Sequence, residues 1–429
     1  MKSEKIILCL LLSSISIFNV KAFANNARIR QLENKVNDLS LKLQEQEVYL
    51  SHRFFNINDI SMKGRIFFEY VGSNNKSDVP VGNAYIKENK NKLRLKKVKL
   101  AFLKPISNEL GIFASILGTN RLYFDELFVT TQFNNNLYAD FGLSYVPFSI
   151  GADCKTSKSE TATHPLFVFL EKDGYFLQIK GIGLTMKYLT DDYGVYYGIY
   201  GNSEEKNATA DNNSKHRVIL AARGYYIPIK YSDDNFMHLG ANYYYKDEKF
   251  KNDLSGWYNT NKDYAYTFKN ANKIGLEAAY TYKNNRVLAE FMQVWFRPSA
   301  TNIDKTFTAN NFYIQIGRVL TGEVIEYKNG NYETYKIARP VDQGGIGGWS
   351  IAGRYSYTDA QDSRGGYEMD FGKYSEFSLD LNWKATKNIK NTLTVAHSTD
   401  KYHDDIMRQK NHGSKSKNKK IQLSTKFLF

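Results

Sequence analysis

From about Met62 to the C-terminus the sequence alternates apolar and polar residues with a period of two. Successive side chains of a strand point to opposite faces, so this pattern describes a sheet with one apolar and one polar side. Ile66, Phe68 and Tyr70 alternate with Arg65, Phe67 and Glu69, and Leu110, Ile112 and Ala114 follow the same rule. So do Leu137, Ala139, Phe141 and Leu143; Ile274, Leu276, Ala278, Tyr280 and Tyr282; and Trp349, Ile351, Gly353, Tyr355 and Tyr357. Phe377, Leu379, Leu381 and Trp383 precede a last segment, Ile421, Leu423, Thr425, Phe427 and Phe429, that ends the chain on an aromatic.

A soluble sandwich and a transmembrane barrel both alternate, and the N-terminus helps to separate them. Lys2 and Lys5, an apolar run over residues 6 to 20, and Ala22-Phe23-Ala24 make residues 1 to 24 a secretory signal peptide. Cys9 is followed by Leu10, so a lipoprotein signal is not expected. No later stretch approaches the roughly 20 apolar residues that a spanning helix needs, so a membrane-embedded mature chain has to cross with strands. Mean hydropathy is −0.50, a soluble-looking value, yet 15% of residues are aromatic, with 32 Tyr and 27 Phe. Lipid-facing apolar residues, a polar lumen and aromatic girdles together give that mixture. Cys154 is the one cysteine after residue 24, which rules out an internal disulfide.

The connections come in two sizes. Short turns at 105 to 108, 134 to 136, 191 to 192, 232 to 235 and 283 to 285 alternate with long polar stretches. The long ones are 72 to 92, 149 to 174, 202 to 215, 248 to 269, 298 to 308, 359 to 373 and 400 to 420. Short periplasmic turns and long extracellular loops are the arrangement of an outer-membrane barrel. The count is about sixteen antiparallel strands over residues 60 to 429, enough to leave an aqueous lumen. One connection breaks the sorting: residues 321 to 348 are long but fall on the periplasmic side, and are expected to fold inward. Ahead of the barrel, Ile29, Leu32, Val36, Leu39, Leu43, Gln46 and Leu50 form a heptad seam. Residues 25 to 52 thus read as a short periplasmic coiled coil, with two or three strands equally compatible.

Three stretches carry a family resemblance: Leu93-Arg94-Leu95-Lys96-Lys97-Val98-Lys99-Leu100-Ala101-Phe102, Phe141-Gly142-Leu143-Ser144-Tyr145-Val146-Pro147-Phe148-Ser149, and Leu320-Thr321-Gly322-Glu323 with the later run from Gly347 to Ser356. In order and spacing, from about residue 60 to Phe429, the chain resembles the phosphate-selective porins of the O and P type. That resemblance implies a homotrimeric sixteen-stranded porin whose lumen is narrowed by inward-folded loops and lined with Arg and Lys.

Charge is consistent with this without fixing a solute. The chain carries +14, and +12 once the three lysines and one glutamate of residues 1 to 24 are removed. Strand phase assigns Lys63, Arg65, Lys97, Lys99, Lys187, Arg217, Arg223, Lys273, Arg286 and Arg354 to the lumen, with Glu69, Glu109, Asp140, Glu277, Glu290 and Asp380. The expected anion-binding, pore-lining set is Lys97, Lys99, Arg223 and Arg354 on strands, Lys155 and Lys158 in the 149 to 174 loop, and Lys328 and Arg339 in the inward segment. Rings of such cations favour anions in a constriction. Near-balanced charge in the 149 to 174 loop argues against strict phosphate selectivity. Expected partners are small anionic solutes, outer-membrane lipopolysaccharide and, through Phe429, the barrel-assembly machinery. No nucleic acid, metal or cofactor is expected: HExxH, CxxC and Walker-type patterns do not occur, and the seven histidines are scattered. The competing reading is an adhesin or structural anchor with a blocked lumen.

Overall fold

Alternation closes into a wall. The computed structural model describes residues 60–81, 84–118, 122–150, 180–201, 218–252, 266–298, 306–364, 367–401 and 415–429. The expected signal peptide, the coiled coil expected over residues 25 to 52, and Lys155, Lys158 and Arg217 lie outside the described residues. The first half of the barrel comprises β1 (Ser61–Val81), β2 (Ala84–Pro105), β3 (Leu110–Gly118), β4 (Leu122–Gln132), β5 (Leu137–Tyr145), β6 (Lys180–Leu189), β7 (Tyr193–Gly201) and β8 (Val218–Ser232). The second comprises β9 (Asn235–Asn252), β10 (Tyr266–Tyr282), β11 (Asn285–Pro298), β12 (Phe307–Val319), β15 (Gly348–Arg364), β16 (Tyr367–Lys384), β17 (Ile389–Lys401) and β18 (Lys415–Leu428). Two short strands, β13 (Ile325–Lys328) and β14 (Asn331–Tyr335), form a separate hairpin.

Each of the sixteen wall strands pairs antiparallel with its neighbours, and β1 meets β18 to close the barrel. Closure satisfies the backbone groups that lipid cannot solvate and leaves no sheet edge. At the seam Phe429 N donates to Gly64 O and Gly64 N to Phe429 O. A side chain at Gly64 would collide with the Phe429 ring, so the glycine makes room for the terminal aromatic. Polarity is inverted relative to a soluble sheet. Phe377 and Ile421 on the outside are 55% and 54% exposed, whereas Glu69 and Asp380 on the inside are 1% and 0% exposed. Among the described residues no helix is long and apolar enough to cross a membrane.

Three departures from the sequence reading matter for the lumen. Most of the stretches 72 to 92 and 359 to 373 is strand: pairing continues to Val81↔Ala84 and Arg364↔Tyr367. These stretches carry polar residues at both phases, so the ladder continues there without the apolar alternation that would reveal it. Glu109 stands in the exposed β2–β3 turn instead of on the wall. The third departure is a pair of β-bulges. Phe67 faces Lys97 while Phe68 faces Leu95, leaving Lys96 as the extra residue; Ser115 faces Glu126 while Ile116 faces Phe124, leaving Asp125. A bulge sets two neighbouring residues against one and shifts the phase beyond it.

Candidate functional site

The long β12–β15 connection turns into the barrel, as its length and side had suggested. Its hairpin turns at Asn329 and Gly330, with φ of 51° and 72°. Two successive positive φ values are the signature of the type I′ turn that Asn-Gly favours. Arg223 on β8 grips the tip, Nη2 donating to Gly330 O at 2.8 Å and Nη1 to Asn331 Oδ1 at 3.3 Å. The same guanidinium makes a two-pronged pair with Glu277 on β10, at 2.9 and 2.8 Å. His238 and Asn242 on β9 also address Glu277, at 3.3 and 3.1 Å. Glu277 only accepts, so His238 Nε2 carries a proton. His238 Nδ1 lies 2.5 Å from the Tyr327 hydroxyl. Burial raises the Tyr327 pKa, keeping that hydroxyl protonated and able to donate to Nδ1. Tyr196 donates to Asn329 O, Tyr332 exchanges a hydrogen bond with Thr281, and Lys384 donates to Tyr335 O at 2.7 Å. Phe236 packs against the rings of Tyr327 and Tyr332. Thus β7 to β10 and β16 all hold the insert.

A second inward-packed segment is the stretch 146–150 after β5, where Val146, Phe148 and Ile150 are buried. Phe148 lies against Tyr244, and Lys273 Nζ approaches both its ring and its carbonyl. Together the two inserts bring an apolar cluster into the space enclosed by β7 to β12.

The remaining wall is densely charged. Lys99 Nζ sits 2.5 Å from Asp125 and 2.7 Å from Glu126, both turned inward by the β4 bulge, and Lys180 joins Asp125. Arg94 and Lys96 both pair with Glu69, and Lys187 with Asp140. Arg354, 2% exposed, has Glu376 and Asp380 as its acidic neighbours. Near the periplasmic end the register sets three lysines side by side: Lys384 on β16 faces Lys390 on β17, which faces Lys426 on β18. Lys426 faces Phe67, which faces Lys97, so the row continues onto β1 and β2. The amines of Lys96 and Lys426 stand 4.8 and 4.9 Å from the Phe67 ring centre.

The residues expected to line the pore therefore fall in several places. Lys97 shares the inward face with Phe67 and belongs to the lysine row, while Lys99 is bound into the Asp125/Glu126 cluster. Arg223 and Lys328 are brought together at the hairpin tip, where Arg223 clamps the insert. Arg354 lies on another part of the wall. Arg339 is exposed in the segment between the hairpin and β15, its carbonyl accepting from Gly347 N. Sequence reasoning missed Arg94, Lys96, Lys384, Lys390 and Lys426. Phase alone identifies the last three, each adjacent to or alternating with outward residues such as Trp383, Leu393 and Phe427. The bulge hides Arg94 and Lys96.

Residues 107–418 match the family of phosphate-selective porins O and P. The fold is similar to an anion-selective porin from Comamonas acidovorans, 12% identical with a TM-score of 0.52 over 86% of this chain and 99% of that one. It is also similar to the trimer form of in-vitro folded OmpT of Vibrio cholerae, at 10% identity and TM-score 0.53 over 86% and 99%. Pseudomonas putida OprB aligns at 10% identity and TM-score 0.51, over 85% and 94%. No curated protein sequence matches. At such identities the structures speak for the fold, and the family match adds its own weight to a closed sixteen-stranded wall with a charged lumen: the chain belongs to the phosphate-selective porin O and P family and is an outer-membrane barrel.

Proposed function

We propose that the lumen conducts small anions, phosphate among them, by passive diffusion, and that the barrels associate as homotrimers with residues 25 to 52 as a periplasmic coiled coil. The lysine row of Lys384, Lys390, Lys426 and Lys97 carries this reading. A row of lysines along one inward stretch of wall favours anions over cations in the solution that passes it. Lys155, Lys158, Lys328 and Arg354 are proposed as further pore-lining cations, and Lys99 and Arg223 as cations that shape the path through their ion pairs. Two unit charges about 4 Å apart interact by roughly 4 kcal/mol at an effective dielectric of 20, against about 1 in bulk water. A third of the larger figure is already about a tenfold change in occupancy.

Reversal potentials in a salt gradient test the assignment. Lys390→Glu with Lys426→Glu should shift the permeability ratio toward cations, while Lys387→Glu in the exposed β16–β17 turn should leave it near wild type. A wild-type preference for cations, or no shift in the double variant, removes the anion reading. The inserts favour a second reading, a closed anchor, because they bring apolar groups into the barrel. Stepwise openings in planar bilayers support the channel, and silence supports the anchor.

A further inference from the structure

We propose that Lys401, Lys417 and Lys419, with His397, form a binding site on the outer wall for the phosphate groups of an outer-leaflet lipid. The proposal rests on the membrane-spanning wall and not on the lumen's selectivity. Lys419 on β18 faces His397 on β17, and Lys417 two positions further up faces Thr399. Lys401, at the top of β17, faces Lys415 on one side and Lys373 on the other. Strand phase aims this set away from the lumen. Lys417 and Lys419 continue the lipid-facing series Phe427, Leu423 and Ile421, and His397 and Lys401 continue Leu393 and Val395. All four are exposed.

Depth points to the headgroups. Lys419 stands eight residues above Phe427 on the same strand. At about 3.4 Å per residue and a strand tilt of about 40°, that is a rise of about 21 Å, and Lys417 adds about 5 Å. The lipid-facing band of such barrels is about 25 Å tall, so both amines reach its extracellular edge. Below them Ile421, Leu423, Val395 and Leu379 offer an apolar surface for acyl chains, with Phe377 beside His397. Across the barrel, eight residues above the periplasmic end of β10, the outward positions are Ile274, Gln293 and Asn310, with Gln293 donating to Asn310 at 2.8 Å. Level with Lys419 the outer wall is therefore cationic on β17 and β18 and neutral on β10 to β12, where the exposed Arg297 of β11 stands four residues higher. The nearby outward acid Asp359 is engaged by Lys373 at 2.7 Å.

An amine row at an apolar boundary matches a ligand with phosphates on top and acyl chains beneath, which a free phosphate ion lacks. The test titrates the full-length protein in detergent with bisphosphorylated lipid A and with its dephosphorylated counterpart, read by native mass spectrometry. Wild type should retain the bisphosphorylated lipid preferentially. Basic residues near an anionic lipid surface contribute about 1 kcal/mol each, so Lys417→Gln with Lys419→Gln should weaken retention by roughly tenfold or more. Lys417→Arg with Lys419→Arg should restore it, and single-channel conductance should be unchanged in both. Equal retention of the two lipids, or wild-type retention by the Gln variant, overturns the site. So does a Gln variant whose lipid retention is intact while its anion conductance falls, since the lysines would then be gathering solute. A Gln variant that lacks the heat-modifiable mobility of a folded barrel is replaced by each single Gln change, to which the same criteria apply.

Discussion

Glu277 and Gly330 show how much a single position controls in this lumen. Gly330 has a φ of 72°, and a side chain there would strike the Tyr225 ring. A left-handed conformation costs a residue other than glycine about 1–2 kcal/mol before any clash. Glu277 receives Arg223, His238 and Asn242 together. Removing one partner of a buried pair costs about 3–5 kcal/mol, because the other charge is left uncompensated. The expected result of Glu277→Gln is a barrel that still shows a heat-shifted gel band but flickers between conductance levels, as the hairpin loses its hold on β8 and β10. A steady wild-type open level in single-channel recordings would count against that role. Sequence alternation had placed Arg223 and Glu277 on the same face, but not against each other. Their partnership joins strands 54 residues apart in sequence, and only the closed register supplies it. Local bulges explain the other omissions: Lys96 and Asp125 lie where two consecutive residues oppose one, and a period-two reading has no place for the extra residue.

At the scale of elements, the β12–β15 connection was legible from its length and its side, and its hairpin was written in Asn329-Gly330, a turn signal between alternating residues that the sequence reading passed over. The inward course of this element follows from side chains that the wall can bury: Tyr332 against Thr281, Tyr327 against Phe236 and His238. The extended β1–β2 and β15–β16 hairpins were not legible, because polar residues on both faces look like loop. The hairpin lies within the wall, so its removal should widen the path without opening the barrel. Replacing residues 325 to 335 with a short Gly/Ser linker should raise single-channel conductance and admit larger neutral polymers in exclusion measurements. Unchanged conductance would mean that the limiting constriction lies elsewhere, with the insert after β5 the next candidate.

On the scale of the whole molecule, the closed wall constrains association. A barrel has no free backbone edge, so one copy can recognise another only through outward side chains, and those are largely apolar residues already solvated by lipid. Contact between such surfaces gains little from apolar burial, since lipid tails are as apolar as the residues they cover. The coiled coil proposed for residues 25 to 52 would differ: pairing in water would take Ile29, Leu32, Val36, Leu39, Leu43 and Leu50 out of solvent. Tethering then raises the effective concentration of each barrel near its neighbours without adding a contact between the walls. Deleting residues 25 to 50 should therefore lower the temperature at which trimers dissociate in detergent, with conductance per barrel unchanged. Three repeats would make only a short coiled coil, so on this proposal the deletion should weaken the trimer and leave an oligomeric fraction that rises with protein concentration. Sedimentation in detergent measures both. An intact protein that sediments as a monomer at every concentration would defeat the trimer proposal, and a deletion with wild-type dissociation would assign assembly to the barrel walls alone.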